Sequence, residues 1–291
     1  MAQILVIGGS GFIGRALSEI LIQAGQSVIV PSRQRSPAAQ SVKWLAADVH
    51  DPEQLRRLMS GCDVVINLVG ILHGSAADFE RAHVTLTEKI VQACQQSGIR
   101  RYLHMSALGA APDGPSHYQR SKAHAEAIVR ASGLDWIIYR PSVVFGEGDQ
   151  FLNLFARLLR YSPFLPLAGA TSRFQPVWVH DVARALAEGT HRADLIGQTL
   201  SLVGPKVYTL AELARLAGDY AGTPRPIIPL PNWAARLQAS LMSILPKPPL
   251  THDNLDSLQV DNIDPAGFPK ILGWPPTALE TVAPDWLGMR K

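Results

Sequence analysis

Cysteine is almost missing: Cys62 and Cys94 are the only two in 291 residues. That excludes a disulfide-stapled scaffold, and no Cys/His cluster has the spacing of a zinc site, so no metal is expected. Long apolar runs are missing too; none reaches the ~18 residues that a membrane span needs. Charge is scarce. Asp, Glu, Lys and Arg make up 18% of the chain, below the usual share of about 25%. The formal net charge is only +3, with no basic run, which argues against nucleic acid as a partner. There is no G-x-S-x-G elbow, hence no sign of a serine hydrolase. No leader is expected, because Met1 passes almost at once into the apolar run 4–7 and then glycines. The expectation is a cytoplasmic chain, with contact at the inner face of a membrane left open. What the chain does have is apolar surface, 47% of its residues. That is enough for a large core and argues against disorder over its bulk.

The first half alternates short apolar runs with helical patterns. Strand-like stretches fall at 4–7, 27–30, 42–46, 64–68, 102–105 and 136–139. Helical periodicity fills 12–24, 51–60, 79–97 and 118–132 between them. This rhythm implies parallel strands joined by right-handed crossovers, an α/β doubly wound parallel sheet of the Rossmann type. After about Pro141 prolines cluster, and helical patterns recur at 180–189, 209–220 and 233–245. The expected organisation is a dinucleotide-binding unit over 1–165, to which parts of 174–204 return. A smaller irregular C-terminal lobe over 205–291 would cover the carboxyl ends of the strands, where ligands bind in open α/β sheets.

Gly8-Gly9-Ser10-Gly11-Phe12-Ile13-Gly14 follows the first strand and opens the first helix. Gly8 suits a tight turn. Gly11 lets a pyrophosphate approach the free N–H groups of the helix start, a contact that Ser10, Phe12 and Ile13 would share. Gly14 would allow close packing of helix on strand. In this strand–turn–helix setting the spacing is a dinucleotide signal. A carboxylate for an NAD ribose would stand about 20 residues on. Ser32 and Arg33 stand there instead. An arginine matches a 2′-phosphate by charge and by its fork of donors. NADP(H) is therefore the preferred cofactor and NAD(H) the second choice, with Arg35 a weaker candidate for the same phosphate.

Tyr118-Gln119-Arg120-Ser121-Lys122 completes a set of motifs. It joins the glycine turn, Asp48-Val49, Asn67-Leu68-Val69-Gly70 and Arg140-Pro141-Ser142. Together they resemble the extended and atypical short-chain dehydrogenases/reductases. The resemblance implies that Asp48 and Val49 flank the adenine. Leu68, Val69 and Gly70 would pass beside the cofactor, and Pro141 and Ser142 would lie near the nicotinamide. Three further stretches, 121–126, 140–153 and 249–255, look like one branch of this family. It contains the nucleotide-binding accessory subunit of respiratory complex I and its stand-alone bacterial relatives. That likeness implies tightly held NADPH, little or no turnover, and a membrane-associated respiratory complex as a partner.

Tyr118 and Lys122 are four residues apart and share one helix face. The phenol can pass a proton to a carbonyl oxygen, and the lysine cation stabilises the phenolate and bonds the nicotinamide ribose. The family's third member is a Ser or Thr at the end of the fifth strand. Here Ala107 takes that place and Ser106 precedes it. Neighbouring strand residues point to opposite sides, so Ser106 is a catalytic candidate that strand geometry disfavours. Asp181 reads as an N-cap of the 182–187 helix. His73, His104 and His180 read as a loop residue that could face substrate, a packed strand residue and a loop residue.

Two functions stand near even on these residues. One is an oxidoreductase moving hydride from NADPH to an apolar carbonyl or a quinone-like substrate. The other is a non-catalytic NADPH-binding protein, structural or redox-sensing, linked to respiration. A nucleotide-sugar epimerase or dehydratase is the weaker third. Residues 227–250 form a short amphipathic helix between prolines, with Trp233, Leu237, Leu241, Ile244 and Leu245 on one face. That face is expected to close over the cofactor cleft as a lid. The alternative is that it docks on a membrane or a membrane-bound partner.

Overall fold

The computed structural model describes residues 1–33, 42–242 and 248–288. Arg35, Ile244 and Leu245, named above, lie outside them. Six strands open the chain: β1 (Gln3–Ile7), β2 (Ser27–Ser32), β3 (Val42–Ala46), β4 (Val64–Asn67), β5 (Arg101–Met105) and β6 (Asp135–Pro141). Helices α1 (Phe12–Gln23), α2 (Pro52–Met59), α3 (Ala76–Phe79), α4 (Leu86–Gln96) and α5 (His117–Ala131) lie between them. A π-turn, Glu80–Thr85, joins α3 to α4. Short strands β7 (Val144–Phe145), β8 (Leu165–Leu167), β9 (Arg173–Phe174) and β10 (Val177–Trp178) precede β11 (Thr199–Leu202). Strands β12 (Tyr208–Thr209) and β13 (Ile227–Pro229) follow it. Helices α6 (Leu152–Tyr161), α7 (Val179–Gly189), α8 (Leu210–Tyr220), α9 (Asn232–Met242), α10 (His252–Ser257) and α11 (Leu279–Leu287) complete the fold.

The main sheet has the order β11-β6-β5-β4-β1-β2-β3, all parallel. Strands wind outward from β1 to β3, then the chain returns to β4 on the other side of β1. The expected doubly wound sheet is therefore present, and its switch point falls between β1 and β4, where a crevice opens at the carboxyl ends. Strand alternation divides the core. Ile4, Val6, Val28, Val30 and Ile66 face α1 and α7. Leu5, Ile7, Ile29, Val65 and Tyr102 face α2, α4 and α5. A separate apolar cluster joins α6, β8, α8 and α11 through Phe155, Leu159, Leu213 and Leu287. Residues 145–165, counted with the dinucleotide-binding unit in the sequence reading, contribute Phe145, Leu152, Phe155, Leu159 and Leu165 to this second core.

Three details differ from expectation. β11 extends the main sheet where no strand was foreseen, since four residues of mixed character give little periodicity. Helix α7 starts at Val179 behind Trp178, so Asp181 lies inside its first turn and is not the N-cap. Its carboxylate instead accepts from Thr277 N at 2.6 Å and Thr277 Oγ1 at 3.1 Å. Helix α9 forms, but its burial is inverted. Ala235 and Ala239 are buried, while Trp233, Leu237 and Leu241 are 71%, 54% and 63% exposed. Among the described residues no helix is long and apolar enough to cross a membrane, and no group of side chains could hold a metal ion.

Candidate active site

The glycine turn is built by crowding. Gly8 has φ +84°, and a Cβ there would stand 3.1 Å from the Leu68 carbonyl carbon and from Val69 N. A Cβ on Gly9 would stand 2.7 Å from Val30 Cγ2. Gly14 packs on the backbone of Gly9, within the turn rather than on a strand. Gly11 is the N-cap of α1, with no side-chain cap and no acidic residue in the first turn. Ser10 and Gly11 are exposed, and Phe12 and Ile13 half-buried. The first N–H groups of α1 therefore have no intrahelical acceptor and meet a positive dipole end. This cradle fits a diphosphate.

Ser32 ends β2 and Arg33 follows it, exposed. At the end of β3, Asp48 is exposed and Val49 half-buried; Asp48 Oδ1 accepts from His50 N at 3.0 Å. The corner is cationic. Burial chiefly lowers the His50 pKa; Asp48 opposes this, and the charges of Lys89, Arg81 and Arg33 add to it. Lys89 Nζ donates to His50 O at 2.7 Å. Sequence reading missed Lys89 because its partner is 39 residues away, beyond any local spacing.

On the other side of the crevice, α5 presents Tyr118 and Lys122. Ser116 and Gln119 form a capping box at its start. Asp253, from α10, accepts from His117 N at 2.6 Å and Tyr118 N at 3.2 Å. Tyr118 is half-buried, and burial raises its pKa to about 12. Among the described residues no group bonds its hydroxyl, which leaves that hydroxyl free for a ligand. Lys122 is buried, and its Nζ donates to Met105 O at 3.0 Å. Burial lowers its pKa to about 8, against the charge of Glu126. A Cβ on Gly70 would stand 3.3 Å from Lys122 Nζ and 3.8 Å from His83 Nε2. The side-chain-free Gly70 thus lies beside the ammonium.

His83 was not foreseen. It sits in the π-turn, a distortion frequent at functional sites. Its Nε2 accepts from Ile71 N at 3.1 Å, so its proton is on Nδ1, 2.8 Å from Ser121 Oγ. Ser121 in turn donates to Tyr118 O at 2.9 Å. The ring meets Tyr118 edge-on, centroids 5.6 Å apart. Burial first, then the Lys122 charge, lowers the His83 pKa to about 2, so the ring stays neutral. It holds the β4 loop and Tyr118 in one frame.

Ser106 is not placed for the catalytic role considered for it. Its hydroxyl donates to Glu126 Oε1 at 2.6 Å. Glu126 is fully buried and also takes Arg140 and Arg130. The strand alternation that disfavoured Ser106 is the reason. Ala107, at the usual Ser/Thr place, is buried. Ser142 is buried and committed as well, donating to Asn262 Oδ1 at 2.6 Å, with Pro141 buried beside it. His104 is packed, with Tyr102 Oη 3.1 Å from its Nδ1. His180 is exposed and its ring meets Trp178 at a tilt, centroids 4.6 Å apart. His73 is exposed beside Asn254.

The chain that carries this arrangement is similar to known proteins. Residues 4–194 match the model of the NAD dependent epimerase/dehydratase family. The chain belongs to that family. It is an NAD(P)-binding, oxidoreductase-like protein of the short-chain dehydrogenase/reductase type. It is 32% identical to mouse (Mus musculus) NADH dehydrogenase [ubiquinone] 1 alpha subcomplex subunit 9, mitochondrial, over 94% of this chain and 77% of that protein. It is 31% identical to a ceramide reductase of Caulobacter vibrioides, over 79% of this chain and 74% of that protein. Among solved structures, MoeE5 in complex with UDP-glucose and NAD superimposes with a TM-score of 0.69 at 22% identity. That match covers 79% of this chain and 85% of the other and shows the fold alone.

Proposed function

We propose that this protein uses NADPH to reduce the carbonyl of an apolar, lipid-like or quinone-like substrate. The observation that carries the reading is the unbonded Tyr118 hydroxyl on the same helix face as the buried Lys122 ammonium. When bound, the cofactor supplies the hydride. The N–H groups at the start of α1 hold its diphosphate, and Arg33 pairs with its 2′-phosphate. Tyr118 gives its proton to the substrate oxygen. Lys122 stabilises the phenolate left behind and bonds the ribose. The ceramide reductase relative supports an apolar carbonyl by its name.

Replacing Tyr118 by Phe removes the proton and leaves the cradle. Expected is loss of most carbonyl reduction, about a hundredfold or more, with NADPH affinity kept. Full activity in that variant overturns the mechanism. Calorimetry should give NADPH about ten- to a hundredfold tighter than NADH, and Arg33→Ala should abolish the difference. Equal affinities in the wild type overturn the cofactor assignment.

A second reading has its own observation. Ser106 is bonded to Glu126 and Ala107 brings no hydroxyl, so the substrate oxygen lacks one donor. On this reading NADPH is a held ligand in a respiratory assembly, in line with the name of the mouse relative. NADPH that co-purifies and does not turn over with any carbonyl or quinone offered would favour it.

A further inference from the structure

Helix α5 carries the Tyr118/Lys122 pair but lacks the acid that its own start calls for. No acidic residue stands in its first turn, although the free N–H groups of a helix start make a positive end that favours one. The charge nearby has the wrong sign. Arg120 reaches back over the start, donating to Gly114 O at 2.6 Å and to Pro115 O at 2.9 Å. The helix supplies part of the remedy itself. Ser116 Oγ accepts from Gln119 N at 3.1 Å, and Arg120 N donates to Ser116 O at 3.2 Å. The N–H groups of His117 and Tyr118 are left over.

They are met from the far end of the chain. Asp253, half-buried on α10, sets one carboxylate oxygen on each: Oδ1 accepts from His117 N at 2.6 Å and Oδ2 from Tyr118 N at 3.2 Å. Tyr118 thus lies in the turn that this carboxylate closes, while Lys122, one turn on, is tied separately to Met105 O. The next residue of α10 reaches the other wall of the crevice. Asn254 Nδ2 donates to Leu72 O at 3.2 Å, in the loop that places Gly70 beside Lys122 Nζ and Ile71 N on His83. A capping box between Thr251 and Asn254 fixes the start of α10 itself. Two consecutive side chains therefore span the crevice from the Tyr118 helix to the β4 loop.

We propose that Asp253 is a positioning residue for Tyr118: its carboxylate closes the first turn of α5 and so fixes where the phenol stands. The ring is set edge-on to Phe79 and His83, with centroids 6.1 and 5.6 Å away. A first turn without its acid frays. Tyr118 would then leave that packing while Lys122 keeps its place, and the two partners on one helix face would part. The placement stands on geometry alone. Only its consequence for rate rests on the reductase reading.

The test labels the full chain with 3-fluorotyrosine and follows the fluorine resonances with and without NADPH. Of the six tyrosines, Tyr118 is the one whose resonance Tyr118→Phe removes. In Asp253→Ala that resonance should move toward the resonance of Tyr161, which is 81% exposed, while Tyr102 and Tyr139, buried in the sheet, keep theirs. Asp253→Asn retains one acceptor and loses the charge. It should fall between the wild type and Asp253→Ala, and it decides alone if Asp253→Ala does not fold. His252→Ala frees α10 from Ser240 and leaves the carboxylate, so Tyr118 should stay in place. NADPH affinity, read by calorimetry, should hold in all three. In any carbonyl reduction that the wild type performs, kcat should fall about tenfold or more in Asp253→Ala. The proposal is overturned if neither Asp253 variant moves the Tyr118 resonance, if His252→Ala moves it as far, or if kcat stays at the wild-type value. It is also overturned if NADPH affinity falls with the shift, the mark of a general loosening. The resonance is read without turnover, so failure of this proposal and failure of the reductase reading are told apart.

Discussion

Lys122 is a buried ammonium, held by one carbonyl, with the bare Gly70 beside it. Its pKa of about 8 fixes the pH behaviour of the pair. Tyr118, raised to about 12, keeps its proton throughout the working range. Carbonyl reduction should therefore fall as pH rises through about 8, where Lys122 loses its charge and the phenolate its partner. A pH profile of kcat/KM checks this; a flat profile to about pH 10 would remove Lys122 from the mechanism. The same shift acts on stability. The folded pKa lies below the ordinary value of 10.5, so between the two the unfolded chain binds more protons and this group's contribution rises with pH. Lys122→Met should accordingly stabilise the fold at pH 7, by ~1–3 kcal/mol, with the gain gone above about pH 10.5. Thermal melts across that window measure it. The pair was legible in the sequence because four residues on a helix fix a shared face. His83 was not, since its partners Ser121 and Ile71 are 38 and 12 residues away and meet it only in the fold.

At the level of elements, α5 is fixed at both ends. Asp253 and the Ser116 box close its start, while Glu126 anchors its far half to Ser106, just beyond β5, and to β6 through Arg140. Glu126 is fully buried. Burial alone would raise its pKa, but the bonds from Arg140, Ser106 and Arg130 bring it below the ordinary value. Its stabilisation is thus present above about pH 4.5 and is lost as pH falls through the lower folded value. Glu126→Ala leaves the half-buried Arg140 without its partner and should cost about 3–5 kcal/mol. Denaturant unfolding near neutral pH would show it, and a cost under about 1 kcal/mol would mean that Arg140 finds water. Most elements could be read in advance for a plain reason: α1 was expected at 12–24 and runs Phe12–Gln23, because a long apolar stripe overdetermines a helix. The exposed face of α9 could not be read. Periodicity reports that a helix has two faces, and only the fold decides which one is buried.

Across the whole molecule, a C-terminal strap crosses both cores. From α10 onward it bonds the α5 start through Asp253, Leu72 through Asn254, Arg173 through Asp261 and α7 through Thr277. The alternation of strands and helices made the sheet visible in the sequence. The second core was less visible, because its members come from 145–170 and 208–287, on both sides of β11. Asn262 is the point where strap and sheet meet. Its Nδ2 donates to Leu108 O at 3.2 Å, just beyond β5, and its Oδ1 accepts from the buried Ser142 hydroxyl at 2.6 Å, just beyond β6. Its backbone pairs with β9, N to Arg173 O at 2.8 Å and Gln175 N to its own O at 3.2 Å. Asn262→Ala keeps those backbone bonds and removes both side-chain bonds. It leaves the Leu108 carbonyl unpaired, while the Ser142 hydroxyl keeps the Asn262 carbonyl and the Gln175 N–H. The loss should be about 1–3 kcal/mol, and it should be local, since the strap contributes few large buried side chains to the main sheet. Amide exchange should accelerate over residues 252–264 while β1, β4 and β5 keep their protection. The first turn of α5, which depends on Asp253, should open along with the strap and slow turnover, whereas the glycine cradle keeps its affinity for NADPH. Equal acceleration in strap and sheet would show that the two cores open as one unit.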